Sequence, residues 1–205
     1  MCMIIVKPKG VDFPDKELLE KAFRKNPDGA GFACNNDFIA KSDYIRIYKG
    51  FMDFDSFYNN ISYFKKVYED APEMLTNKTF VFHFRKATKG EISPRLTQPF
   101  PITYQMDELI DIDCHAEYAF CHKGTFDFLK NRTTKGRGVS DTYIFVQEYL
   151  SLLALNKDWD DKWHNIQLLE NLIDEKACML KSDGTFKLFG EFFEHDGLLI
   201  SEKIK

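Results

Sequence analysis

No stretch of this 205-residue chain has the length and apolarity of a membrane anchor. The opening Met-Cys-Met-Ile-Ile-Val-Lys-Pro is too short an apolar run for a signal peptide, and no other window approaches the ~20 residues of a spanning helix. An excess of one charge is also missing, with 28 basic residues against 32 acidic ones and a formal net charge of -4. There is therefore no global field to draw the protein onto nucleic acid or an anionic membrane, and neither is expected as a partner. Cysteine is sparse and odd in number. Cys2, Cys34, Cys114, Cys121 and Cys178 show no CxxC spacing, which argues against a disulfide framework and against a zinc ribbon. Reduced thiols in a soluble, cytoplasmic protein without metal or cofactor are the expectation. Internal repeats, linkers and low-complexity segments are absent too, so residues 1–205 are expected to form one domain.

What the chain does have is apolar and aromatic mass. Hydrophobic residues make up 44%, and 20 phenylalanines and nine tyrosines are spread along the whole length, enough for a core built of aromatic layers. Met3–Val6 reads as a strand, and Leu18, Leu19, Ala22 and Phe23 fall at helical spacing within 15–24. Short strands are expected at Gly31–Ala33, Phe38–Ala40 and Tyr44–Tyr48. An amphipathic helix follows over 53–68, opened by Asp53 or Asp55. Thr79–Phe84 reads as a strand, 86–101 as a long ordered loop, and Ile110–Ile112 and Glu117–Cys121 as further strands. Helices are expected over 141–155, opened by Ser140 or Asp141, and over 160–173. The chain then ends in consecutive hairpins through 177–180, 186–189, 192–195 and 198–200. Strands and helices in separate blocks favour an α+β layered fold over a doubly wound parallel sheet.

Six pieces of sequence carry the functional reading. They are Cys2 directly after Met1, Asn26-Pro-Asp-Gly-Ala-Gly31, His83-Phe-Arg-Lys-Ala-Thr-Lys-Gly90, Gln98-Pro-Phe100, His122-Lys-Gly124 and Ser140-Asp-Thr142. Each is weak alone, since short glycine-containing motifs arise easily by chance. In this order, and over nearly the whole chain, they resemble the signatures of the class II glutamine amidotransferases, a family of N-terminal nucleophile hydrolases. The resemblance implies a four-layer αββα sandwich and the hydrolysis of glutamine, or a related amide, to glutamate and ammonia. In the family the ammonia passes to a synthase or transferase domain, for which no residues are left over here, so either a separate acceptor enzyme or a self-contained activity is expected.

Residue by residue, the resemblance makes Cys2 the nucleophile. Removal of Met1 joins a thiol to a free α-amine, a base with a pKa near ~8, on one residue. Arg85 matches the arginine that holds the α-carboxylate of glutamine, a task suited to a planar fork of donors. Thr88 helps to shape that pocket, and Asp141 receives the α-ammonium. Gly124 supplies a backbone N–H to the oxyanion hole. Two positions depart from the family pattern: Lys123 stands where a side-chain donor, asparagine, is usual, and Met3 replaces a glycine after the nucleophile. Lys123 is accordingly the expected second donor, as an ammonium. The departures motivate an alternative substrate amide, and a catalytically silent binding or structural protein on the same scaffold is the third reading.

The remaining features carry less. Cys114-His115 and Cys121-His122 repeat at a seven-residue interval and could meet on paired strands, but the spacing is wide for a metal site, and packing cysteines are expected. Lys130, Arg132, Lys135 and Arg137 surround glycines without P-loop spacing, which reads as a solvated loop or a partner contact. Asp111 and Asp113 share a strand face and read as a solvent-facing pair. Trp159 and Trp163, four apart, read as helix packing.

Overall fold

A computed structural model describes residues 2–35, 44–156 and 158–203, so the strand expected at Phe38–Ala40 lies outside the described residues. The chain is mixed α+β with two antiparallel sheets. β1 (Met3–Lys7), β2 (Ala30–Asn35), β3 (Ile45–Phe51), β4 (Phe80–Phe84) and β6 (Asp113–Ala116) join β10 (Phe193–His195) and β11 (Leu198–Ile200) in the order β10-β11-β1-β4-β2-β3-β6. The smaller sheet runs β5 (Phe100–Pro101), β7 (Tyr118–Lys123), β8 (Lys176–Lys181) and β9 (Phe186–Phe189).

The period of two in the strands decides what each face packs against. Met3 and Ile5 of β1, Phe32 and Cys34 of β2 and Phe80, Phe82 and Phe84 of β4 lie in one core cluster with α1 (Lys16–Lys25) and α2 (Phe54–Val67). Both helices start on an aspartate cap: Asp15 accepts from Leu18 N and Asp53 from Ser56 N, each at 2.7 Å. They deliver Leu19, Phe23, Phe57, Ile61 and Phe64 to this face. Phe32 meets Phe64 edge-on at 5.6 Å and Phe57 at 6.2 Å, and Phe80 stacks on Phe82 at 5.9 Å. Each fully buried ring of this kind stabilises by about 2–3 kcal/mol through area alone.

The intervening residues turn the other way. Ile4, Val6, Ala33, Ile47 and Val81 pack against Ala119, Cys121, Cys178 and Leu180 of the smaller sheet. The far face of the smaller sheet carries Phe120, Ala177, Met179 and Phe189 under α5 (Asp141–Phe145) and α7 (Trp163–Leu172). α5 runs without a break through a π-helical turn (Val146–Leu150) into α6 (Ser151–Leu153), which together cover the helix expected from 141. The short α3 (Pro72–Thr76) and α4 (Met106–Ile110) bound the loops before β4 and β6.

Several expectations need correction. Ile110–Ile112 is not a strand: α4 ends at Ile110, with Asp107 and Glu108 in its first turn, where its N-terminal dipole favours acids, and pairing begins only at Asp113. The helix expected from Asp160 starts at Trp163, because Asp158 adopts φ +56° and the Asp160 carboxylate is held by Tyr118 Oη (2.9 Å) and Lys181 Nζ (2.8 Å). Trp159 and Trp163 are consequently not a helical pair; Trp159 is buried against the Tyr118 ring while Trp163 is 72% exposed. The terminal hairpins split, with β8–β9 in the smaller sheet and β10–β11 in the larger. The crossing uses Gly190 at φ +76°, where a Cβ would stand 2.3 Å from Glu175 O. Cys114-His115 and Cys121-His122 likewise lie on β6 and β7, in different sheets, and do not pair. Among the described residues no helix is long and apolar enough to cross a membrane, and no cluster of three His, Cys, Asp or Glu is placed to hold a metal ion.

Candidate functional site

The register of the large sheet sets Cys2 beside Arg85. Met3 pairs with Phe84, so Cys2 and Arg85 sit side by side one residue beyond. The Cys2 thiol is buried. Its Sγ accepts from Lys86 N at 3.4 Å and donates to Lys86 O at 3.6 Å. Burial pushes the thiol pKa up, opposed by the Lys86 N–H and the Arg85 guanidinium and reinforced by Asp141. The resting group is a thiol and needs a base to become a nucleophile.

Arg85 is buried too, which lowers its pKa against the raising influence of Cys2, Asp28 and Asp141. Its guanidinium donates to Glu91 O at 2.8 Å and Lys89 O at 3.2 Å. The segment 86–91 thus wraps back over its own arginine. It is pinned further by Ala87 N to Asp28 Oδ2 (2.8 Å), Gly90 N to Thr134 O (3.1 Å), Gly136 N to Gly90 O (2.9 Å) and Glu91 N to Gly138 O (2.9 Å). The exposed Thr-Lys-Gly-Arg-Gly stretch, expected as a solvated loop, is therefore also the clasp of the 86–91 segment.

At the N-terminus of α5 two adjacent residues divide two tasks. Ser140 caps the helix by accepting from Tyr143 N at 3.1 Å, while Asp141 lines the cavity. The Asp141 carboxylate accepts from Phe126 N and Thr142 N, both at 2.9 Å. Burial raises its pKa and those two N–H groups oppose the rise. Thr88 Oγ1 lies 3.3 Å from Thr125 Oγ1. Gly124 adopts φ +148°, and a Cβ there would come within 2.9 Å of both Glu175 Cβ and His122 Nε2, so only glycine fits.

Five of the six residues singled out from sequence, Cys2, Arg85, Thr88, Gly124 and Asp141, line one cavity together. Lys123 does not. Its ammonium is buried elsewhere, 3.1 Å from Glu202, whose other oxygen is 2.9 Å from Lys25. The cavity is completed by residues to which the sequence assigned no role: Gln98, His122 and Thr142. All three stand in motifs that carry the functional reading, at or near the ends of β5, β7 and α5. Gln98 Oε1 accepts from His122 N at 2.7 Å, tying the loop to the end of β7.

The enclosed space is about 20 Å³, room for roughly one water. Larger hollows of 430, 310 and 520 Å³ lie elsewhere and contain none of Cys2, Arg85 and Asp141. In the small cavity a guanidinium and a carboxylate, opposite in charge, share space with a thiol. No protein-family model matches the chain, and no curated protein sequence matches it.

Proposed function

We propose that the chain is a glutamine amidohydrolase of the class II amidotransferase type, with the four-layer αββα sandwich of N-terminal nucleophile hydrolases. The observation that carries this reading is the convergence of Cys2, Arg85, Gly124 and Asp141, from four distant parts of the sequence, on one cavity. The packing of helices on the outer face of each sheet and of small residues between the sheets supports the layered fold.

With Met1 removed, the Cys2 α-amine takes the thiol proton, directly or through one water. The sulfur attacks the carboxamide carbon of glutamine, and the carbonyl electron pair moves onto oxygen, toward the Gly124 N–H. Collapse of this intermediate expels ammonia, which carries away the proton held by the amine, and leaves a γ-glutamyl thioester. Water then adds to the thioester, restoring the thiol and releasing glutamate. Arg85 binds the α-carboxylate and Asp141 the α-ammonium, which orients the carboxamide toward Cys2. Ammonia passes to a separate acceptor enzyme.

Intact mass before and after treatment with an electrophilic glutamine analogue tests this reading. The expected result is a chain without Met1 that gains one adduct, absent in Cys2→Ala. A Met1-retaining chain that gains nothing supports a binding protein on the same scaffold instead.

A further inference from the structure

The buried imidazole of His122 lines the cavity that holds Cys2 and carries a ring nitrogen without a partner among the described residues. His122 is 1% exposed, lines the Cys2 cavity and stacks on the Phe126 ring at 4.1 Å. Its backbone is fixed on both sides, the N–H by Gln98 Oε1 (2.7 Å) and the carbonyl by His83 Nε2 (3.1 Å). Nδ1 lies 3.5 Å from Thr142 Oγ1, whereas Nε2 has no hydrogen-bond partner among the described residues. A buried polar atom without a partner is costly and is retained where a ligand or a reacting atom completes it. Nε2 lies against Gly124, close enough that a methyl group on that residue would stand 2.9 Å away.

We infer that His122 is a further catalytic residue, whose Nε2–H is the second donor of the oxyanion hole beside the Gly124 N–H. The inference rests on the amidohydrolase reading above. The inference requires Thr142 Oγ1–H to donate into Nδ1, which places the ring proton on Nε2. Lys123, at the position from which a side-chain donor was expected, is committed to Glu202 and leaves the role open. Desolvation holds the imidazole pKa down at about 3, so the ring is neutral and keeps a single N–H throughout the neutral range. No proton is transferred: the oxygen receives a hydrogen bond as the Cys2 sulfur bonds to carbon, and gives it up when the carbonyl reforms.

The test compares wild type with His122→Phe, which keeps a ring on Phe126 and removes the donor. Steady-state glutamine hydrolysis is measured beside alkylation of Cys2 by iodoacetamide, whose displacement at a saturated carbon creates no oxyanion. The expected result is a fall in kcat of about 10²-fold or more, with KM and the alkylation rate within about threefold of wild type. Partial recovery of kcat in His122→Gln, which restores an N–H donor, is expected as well. A His122→Phe enzyme with wild-type kcat overturns the inference. If that variant misfolds, shown by an altered alkylation rate, Thr142→Val takes its place: it removes the group that sets the tautomer and should lower kcat at unchanged KM, and an unchanged kcat overturns the inference equally. A wild-type protein that is alkylated but never hydrolyses glutamine defeats the amidohydrolase reading itself, a separate outcome.

Discussion

The two faces of the seven-stranded sheet are built to different specifications. The helix-covered face is a continuous aromatic packing, in which Phe32, Phe57, Phe80, Phe82 and Phe84 are fully buried and touch ring to ring. The opposite face presents aliphatic residues, Ile4, Val6, Ala33, Ile45, Ile47 and Val81, to the smaller sheet, and at the end near Cys2 it gives way to buried polar groups: His83, Arg85 and the neighbouring His122. One face gains free energy from every residue. The other holds ionisable groups where burial disfavours their charged forms and where two ring nitrogens, His83 Nδ1 and His122 Nε2, lack partners among the described residues. Stability is concentrated on the first face and the proposed chemistry at the edge of the second, so changes to the two should separate cleanly.

The sharpest separation is expected at Cys2. Cys2→Ala should abolish glutamine turnover, a loss of more than roughly 10⁴-fold, with an unchanged melting temperature. Steady-state kinetics and a thermal scan on one preparation check it. Phe82→Ala should show the reverse, destabilising by about 3–5 kcal/mol in urea unfolding while the fraction that remains folded keeps its Cys2 labelling rate. A comparable loss of labelling in that folded fraction would break the comparison.

Smaller effects sharpen it. Arg85→Lys replaces a two-pronged donor by a point charge and should raise KM for glutamine by about 10–100-fold with a lesser change in kcat. The buried histidines make the polar edge sensitive to acid. Their folded pKa values are pushed down to about 3 by desolvation, from an ordinary value of 6.5. The unfolded chain therefore binds more protons below pH 6.5, and stability, fully present above that pH, is lost as pH falls toward 3. Between pH 6.5 and 5.5 each histidine should cost about 1 kcal/mol, read as a lower urea midpoint, and His83→Gln should remove one share. Asp53→Ala, at the exposed cap of α2, should cost only about 1 kcal/mol and leave turnover alone.

Sequence made the aromatic face legible because its signals are local. The i, i+3, i+4 spacing of Phe57, Ile61 and Phe64 and the aspartate caps are properties of neighbouring residues, and the structure bears out both helices. It was less informative where long-range partners decide. Asp160 reads as part of a helix until Tyr118 and Lys181 claim its carboxylate. Cys114-His115 and Cys121-His122 look like a matched pair until the chain assigns their strands to different sheets. At the candidate site, ordered motifs were enough to pick out Cys2, Arg85, Thr88, Gly124 and Asp141 as a group that shares a cavity. They could not show that Lys123 turns to Glu202, nor that His122 presents an unpartnered nitrogen, because both depend on what the fold brings alongside.

Acid-quenched intact mass during glutamine turnover tests the central claim most directly. The account predicts a fraction of the protein carrying a γ-glutamyl group on Cys2, formed with release of one ammonia per adduct and discharged on further incubation. Ammonia released with no covalent species on Cys2 at any time, or an equal rate from Cys2→Ala, contradicts it.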